Sequence, residues 1–200
     1  MELNFITTND AKVKWLKSEF NFLKFDIEIK SPFVKIIEPQ ADDFNEVSIS
    51  KAKQAYDAIK KPVIVEDGGF CIPSLDGFPG VYTKYINQTI GNKGLLKLID
   101  DKNDRNAYFT TVASFVDGDL IKTFERRIEG TITLKESDEL SKFAWSNLWK
   151  IFIPNGYNKT LSEMSEQEIH EYQNSSKNKQ SSLSLFAKWY VNEHKQSIKY

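Results

Sequence analysis

Apolar residues recur with two different periods along this chain, and the two periods alternate over the first hundred residues. Short apolar runs predict strands at 3–7, 25–29, 34–37 and 62–66. Amphipathic segments between them predict one helix over 11–20 and a second from about 42 to the residues before Pro62. Asn9 or Asp10 can cap the first helix. Strands that alternate with helices in this way are typical of an α/β fold.

The rest of the chain predicts helices, a hairpin and further helices. Gly91 separates two predicted helices, 83–90 and 93–99. The Asp117-Gly118-Asp119 turn joins strands predicted at 108–116 and 120–129. A further strand is predicted at 130–134, helices at 165–172 and 181–193, and a polar loop at 173–180. Without an internal repeat or an interdomain linker, these elements predict one α/β domain with a mixed sheet.

Composition and charge narrow the function classes. The 200 residues carry a formal net charge of −1, which gives no broad attraction to nucleic acid or to a membrane. The single cysteine, Cys71, excludes an internal disulfide, and two histidines, His170 and His194, exclude a multi-histidine metal site. Without a signal peptide or an apolar span, we expect a soluble, cytoplasmic protein. An anionic ligand would therefore be held by a local group of lysines.

The most informative segments are 63–70 and 75–82. A run of β-branched residues ends in Glu66 and Asp67, two glycines follow, and a second loop contains glycine and proline. A buried strand that delivers two acids to its end, where the backbone can approach a ligand, is one way to build a metal–phosphate site. The alternative is a strand that ends in solvated acids before a hairpin.

Other polar residues stand at predicted junctions of loops and elements. They are Asn9 and Lys12 at the first helix, Glu38 after an apolar run, Lys51 in the second helix and Lys84 beyond the glycine loop. A lone lysine is more typical of a solvated surface. As a set these residues suit a triphosphate, with carboxylates for Mg²⁺ and ammonium groups for phosphate oxygens.

Five segments of the chain, taken in order, resemble the motifs of the Ham1/ITPase family of non-canonical purine nucleoside triphosphate pyrophosphatases. Segment 62–82 resembles P-V-[LI]-V-E-D-[TS]-x-L followed by L-x-G-x-P-G-x-Y, and this motif is specific for the family. The others resemble T-G-N-x-x-K-[VL], E…E-I-x-x-x-K-A, F-x-G-x-x-x-G and D-G-x-x-x-T-[FY]-A-E-M, at 6–13, 38–52, 124–130 and 155–164. The match covers nearly the whole chain.

The resemblance implies a fold and an activity. The fold is an elongated, two-lobed α/β architecture, ITPase-like (anticodon- or Maf-like), in which residues 1–200 form one nucleotide pyrophosphatase domain with the nucleotide between the lobes. The activity is Mg²⁺-dependent cleavage of ITP, dITP or XTP into the monophosphate and pyrophosphate. A homodimer is also implied.

The resemblance also implies site residues. Glu38 and Asp67 would hold the metal, Asp67 would be the base for the attacking water, and Lys12 would join it in catalysis. The substrate would be bound by Thr7, Thr8, Asn9, Lys12, Lys51, Gly68 and Lys84. Thr8 stands where the family has glycine and Gly68 where it has threonine or serine, so we expect the first loop to differ locally.

The purine-recognition motifs are altered. Phe143 and Trp145 match the aromatic positions of F-G-[WY]-D-P, but Ser146 replaces the acid. Lys177 and Ser181 match K-x-x-x-S-H-R without its histidine and arginine. Loss of polar partners for a purine edge predicts altered base selection. The aromatic segment 145–152 could form core, an interface or a base-stacking surface.

Three interpretations follow. The chain is an active pyrophosphatase with altered or relaxed base choice, a nucleotide-binding or regulatory protein without turnover, or a partner-binding scaffold. The set of acids and lysines favours the first, because a protein without phosphate chemistry does not need it.

Overall fold

The computed structural model describes residues 1–174 and 181–197, with side chains described to 172 and from 181 to 194. It divides into two compact units, one built from 1–67, 111–126 and the C-terminal segment, the other from 68–110 and 127–179. The strands are β1 (Glu2–Phe5), β2 (Glu28–Lys30), β3 (Val63–Cys71), β4 (Pro79–Gly80), β5 (Asn106–Asp117), β6 (Leu120–Ile132) and β7 (Phe152–Pro154). The α-helices are α1 (Asp10–Phe22), α2 (Phe44–Ile59), α3 (Thr83–Thr89), α4 (Gly91–Leu98), α5 (Glu166–Asn174) and α6 (Ser182–Ser197).

In the first unit the strands follow the order β2–β1–β3–β5–β6, and β1 pairs in parallel with β2 and with β3. Leu3 of β1 pairs with Ile29 of β2, and Asn4 pairs with Val63 of β3, both in parallel. The buried Asn4 side chain also donates from Nδ2 to the carbonyl oxygen of Pro62 at 3.2 Å, which secures β3 beside β1.

Successive residues of β3 in the first unit pack against different helices. Ile64 belongs to a buried cluster with residues of α1 and α6, such as Leu16 and Phe186. Val63 and Val65 instead pack with Ala52 and Ala55 of α2. Because side chains alternate between the two faces of a strand, α1 and α6 cover one face of β3 and α2 covers the other.

The second unit has its own core. Apolar residues of α3, α4 and the 3₁₀ helix Asn147–Lys150 form one buried cluster with the rings of Phe70, Phe109 and Phe152. In this unit β3 pairs with β4, and β6 pairs with β7, both in antiparallel orientation. Gly130 pairs with Pro154, and a Cβ at Gly130 would overlap the carbonyl oxygen of Ile153. The close approach of β6 and β7 therefore requires glycine.

The predicted α/β fold with a mixed sheet is confirmed, as are Asn9 as the cap of α1 and the turn at Gly118. Cys71 is buried, as its apolar surroundings predict. Among the described residues no helix is long and apolar enough to cross a membrane. That residues 1–200 form a single functional domain stays a prediction.

Three predictions about strands were wrong. Residues 34–37 form no strand, and the backbone of Ile37 bonds to the side chain of Gln54 instead. β3 does not end at Glu66 but continues through the two glycines to Cys71, where it pairs with β4. The strand predicted at 130–134 is the end of β6, while β7 was not predicted.

Candidate active site

The loop before α1 is shaped by side-chain hydrogen bonds. Asn9 Oδ1 accepts from the backbone N–H of Ala11 at 2.9 Å, and the N–H of Asn9 donates to Thr7 Oγ1 at 3.1 Å. Described non-glycine residues with positive φ are Lys24, Lys60 and Asp76. Thr8 therefore avoids the left-handed region that favours glycine, and the loop accommodates a threonine there without that strain.

Lys12, in the first turn of α1, is bound to β3. Its Nζ lies 3.1 Å from Oε2 of Glu66 and 3.5 Å from the Glu66 carbonyl oxygen. The Glu66 side chain is 7% exposed and that of Lys12 is 34% exposed. The ammonium group thus has a nearly buried carboxylate behind it and remains partly open to solvent.

Two hydroxyl groups complete the surroundings of Glu66. Ser182 Oγ, at the start of α6, is hydrogen-bonded to Glu66 Oε1 and lies 3.0 Å from Oγ1 of Thr111 on β5. A carboxylate only accepts, so Ser182 donates to Glu66. α1, β3, β5 and α6 are joined through this one acid.

Lys51 of α2 lies between the two predicted metal ligands. Its Nζ is 3.0 Å from Oε1 of Glu38 and 3.5 Å from Oδ2 of Asp67. The side chains of Lys51 and Asp67 are 20% and 21% exposed, whereas that of Glu38 is 66% exposed. Two carboxylates from separate segments therefore approach one position that already holds a positive charge.

This donor set fits a hard divalent cation that also binds substrate. Within residues 1–174 and 181–197, no group of three or more His, Cys, Asp and Glu side chains is arranged to hold a metal ion. Mg²⁺ is commonly bound through one or two carboxylates, with water and substrate phosphates as its other ligands. Glu38 and Asp67 provide that number and kind of oxygen ligand.

The second unit contains the other predicted substrate residues. Gly68 lies within β3, and Lys84 is exposed on α3. Trp145 is 62% exposed, although its ring centroid lies 4.8 Å from that of Phe109. Phe143 is 38% exposed. These two aromatic side chains leave ring surface available.

The aromatic segment 145–152, whose role the sequence left open, divides in two. Leu148, Trp149, Ile151 and Phe152 are buried in the core of the second unit. Ser146, in place of the family's acid, caps the 3₁₀ helix by accepting from the N–H of Leu148 at 3.2 Å. Only the exposed Trp145 is left for an interface or a stacking surface.

Three residues discussed in the sequence analysis remain, namely Lys177, Ser181 and His170. Lys177 lies outside the described residues. Ser181 Oγ accepts from Trp15 Nε1 at 3.1 Å and from the N–H of Ser184 at 3.0 Å. Ser181 thus caps α6, and its substrate role stays a prediction. His170 is exposed on α5, as predicted.

Sequence reasoning named Glu66 only as one of the two acids at the end of a strand, and it missed the bond of Ser182 to Glu66 and the pairing of Gln54 with Ile37. Glu66 stands beside Asp67 in the most specific motif, and this position could have identified it as a residue of the site. Ser182 and Gln54 carried no signal, since their partners are 116 and 17 residues away in the chain.

Comparisons with known proteins show the family of this chain. A family model described as the Ham1 family matches residues 3–182. A dITP/XTP pyrophosphatase of Saccharolobus solfataricus is 38% identical over 86% of each chain. One of Thermococcus kodakarensis is 33% identical over 94% of this chain and 97% of its own.

Solved structures share the fold. The Ham1 protein of Staphylococcus aureus superposes with a TM-score of 0.77 at 20% identity, over 96% of this chain and all of its own. A nucleoside-triphosphatase / dITP/XTP pyrophosphatase of Mycobacterium abscessus gives 0.75 at 19% identity, over 86% and 92%. On the match of its sequence over residues 3–182, this chain belongs to the Ham1 family.

Proposed function

We propose that this chain is a Mg²⁺-dependent nucleoside triphosphate pyrophosphohydrolase, which converts a nucleoside triphosphate and water into the monophosphate and pyrophosphate. The relatives named dITP/XTP pyrophosphatases bear out the predicted hydrolase class. Non-canonical purine nucleotides such as ITP, dITP and XTP are the proposed substrates. The observation that carries the proposal is the position of Lys51 between Glu38 and Asp67, 3.0 and 3.5 Å away.

The proposed reaction breaks the bond between the α-phosphorus and the bridging oxygen of the β-phosphate. Bound Mg²⁺ would supply positive charge beside the phosphate oxygens. Asp67 accepts a proton from the attacking water, whose oxygen becomes part of the monophosphate. The electron pair of the broken bond leaves with pyrophosphate.

Two lysines supply the charge that the leaving group needs. Lys12 is held against Glu66 and is partly exposed, so its ammonium group can meet phosphate oxygens without losing its position. Lys51 is oriented by Glu38 and Asp67. Preoriented cations stabilise developing charge without a rearrangement during the reaction.

Relaxed base choice is proposed because the exposed aromatic residues can stack on any base. Phe143 and Trp145 offer ring surfaces, which stack on any base, because every base has a π face. Ser146 uses its hydroxyl oxygen to cap a 3₁₀ helix. A site that stacks but lacks the family's acid would discriminate less sharply between purine edges.

A homodimer in the cytoplasm is part of the proposal. Exposed apolar side chains support it, among them Tyr85 at 65% and Leu134 at 77%, which a second copy could cover. Light scattering coupled to size-exclusion chromatography measures the mass in solution. A monomer at all accessible concentrations would contradict the dimer.

Product analysis across a panel of nucleotides tests the activity. The chain is incubated with ITP, dITP, XTP and the common triphosphates, with Mg²⁺ or with EDTA. We expect monophosphate and pyrophosphate, and no diphosphate, with ITP, dITP or XTP preferred and with no reaction in EDTA. Folded protein, verified by circular dichroism, without turnover of any nucleotide would overturn the proposal.

A further inference from the structure

The side chain of Gln54 on α2 pairs with the backbone of Ile37. Gln54 Oε1 accepts from the N–H of Ile37 at 2.9 Å, and Gln54 Nε2 donates to the carbonyl oxygen of Ile37 at 2.7 Å. The N–H can only donate and the carbonyl can only accept, so this pairing fixes the orientation of the amide. The amide therefore satisfies both backbone hydrogen-bonding groups of Ile37.

This pairing holds the residue directly before Glu38. Residues 31–41 are described without a helix or a strand, so no ladder of backbone hydrogen bonds fixes this segment. The Glu38 side chain is 66% exposed, and little packing orients it. Ile36 packs against the cluster that contains Ala52 and Val65. Apolar packing at Ile36 and the two hydrogen bonds at Ile37 are therefore the anchors nearest to Glu38.

The same helix also holds the Glu38 carboxylate. Lys51 and Gln54 are three residues apart on α2, which places them on one face of the helix. Lys51 contacts the Glu38 side chain, and Gln54 contacts the backbone that precedes it. One turn of α2 thereby sets both the position of residue 38 and the direction of its carboxylate.

We propose that Gln54 is a positioning residue, which holds Glu38 where its carboxylate and that of Asp67 converge on one cation. The inference rests on the proposed function, since it assigns Mg²⁺ to these two carboxylates. Gln54 acts on the affinity for the cation and touches neither the substrate nor the attacking water. Partners that orient metal ligands typically change metal affinity roughly 10- to 100-fold when they are lost.

The main test compares Gln54→Leu with the wild type. Leucine has a similar size and a good helix propensity but forms no hydrogen bond. We expect the Mg²⁺ concentration for half-maximal activity to rise roughly 10-fold or more. At saturating Mg²⁺, kcat and the nucleotide KM should stay within about twofold of the wild type, because the chemical groups are unchanged. A loss of structure would instead lower kcat at every Mg²⁺ concentration.

Hydrogen exchange supplies a readout that does not depend on activity. The Ile37 amide hydrogen is bonded to Gln54 Oε1, so it should exchange faster in Gln54→Leu. Lys53→Ala, an exposed substitution on the same helix, is the control and should alter neither the exchange nor the Mg²⁺ requirement. Gln54→Glu is a second variant, in which a carboxylate oxygen faces the Ile37 carbonyl oxygen, and we expect the same direction of change.

The outcomes separate this inference from the proposed function. Faster exchange at Ile37 with an unchanged Mg²⁺ requirement overturns the inference, and so does unchanged exchange. A wild-type chain without turnover overturns the proposed function. In that case calorimetric titration with Mg²⁺ decides the role of Gln54, since equal affinities of the wild type and Gln54→Leu would overturn it.

Discussion

The ammonium nitrogen of Lys51 on α2 lies 3.5 Å from a carboxylate oxygen of Asp67 on β3, although the two residues are 16 positions apart in the chain. Glu38 approaches the same nitrogen at 3.0 Å. The positive charge reduces the repulsion between the two acids in the free protein. It also keeps both carboxylates close to one position.

Asp67→Asn removes the proposed base and one cation ligand but keeps the size of the side chain. We expect turnover to fall at least about 100-fold, because positioned acid–base groups typically contribute 100- to 10,000-fold. The Lys51–Glu38 pair remains, so the circular dichroism spectrum should not change. Asp57→Asn, at a surface pair with Lys60, is the control. Pyrophosphate release near the wild-type rate in Asp67→Asn would refute the assigned role.

Glu66→Gln removes the charge that faces Lys12 and keeps an acceptor for Ser182. Because Glu66 is nearly buried while Lys12 is partly exposed, we expect a loss of about 1–3 kcal/mol in the free energy of unfolding. Urea denaturation measures it. Glu28→Gln, at an exposed pair with Lys30, should cost less than about 1 kcal/mol. Equal losses in the two variants would contradict the special position of Glu66.

Thr160→Val disrupts a capping box in the second unit. The N–H and the hydroxyl of Thr160 both donate to Glu163 Oε2 at 2.8 Å, and Thr160 is 2% exposed. Valine keeps the shape but loses the hydroxyl, so we expect a loss of about 1–2 kcal/mol in the free energy of unfolding. Thr160→Ser keeps the hydroxyl and should lose less. A serine variant less stable than the valine variant would contradict the role of the cap.

Glu168 should make stability depend on pH in acid. Its hydrogen bonds with Lys159 and with Ser165 lower its pKa from 4.5 to about 2. A lowered pKa stabilises the folded state above pH 4.5, and this stabilisation is lost as the pH falls toward 2. We therefore expect the difference in Tm between the wild type and Glu168→Gln to shrink over that interval. Glu171→Gln, on the same helix, is the control, and a constant difference for Glu168→Gln would refute the linkage.

The sequence predicted elements where local patterns decide structure. The period of the apolar residues placed α1 and α2, and turn chemistry placed the hairpin at Gly118. The prediction failed at 34–37, where the backbone of Ile37 bonds to the Gln54 amide and not to a strand. A short apolar run indicates which side chains are buried, but it does not identify the group that satisfies the hydrogen bonds of the backbone.

For a similar reason, the sequence predicted some residues of the candidate site and missed others. Glu38, Lys51 and Asp67 come together in the structure, and each stood in a motif. Ser182 was missed because its bond to Glu66 spans 116 residues. Thr160 and Glu163 illustrate the reverse case, since both match a family motif yet serve as a helix cap. A motif position identifies a constrained residue and leaves open whether substrate or structure constrains it.

Because neighbouring residues of β3 face different helices, the number of residues before Glu66 and Asp67 determines the face of the strand on which each carboxylate lies. Glu66 meets Lys12 of α1, while Asp67 meets Lys51 of α2. A deletion of one residue between Pro62 and Glu66 would exchange the sides on which the two acids emerge. Lys12 would then lose Glu66 and Lys51 would lose Asp67 at once, although neither acid had been mutated. The length of this strand is therefore as strictly determined as its two carboxylates.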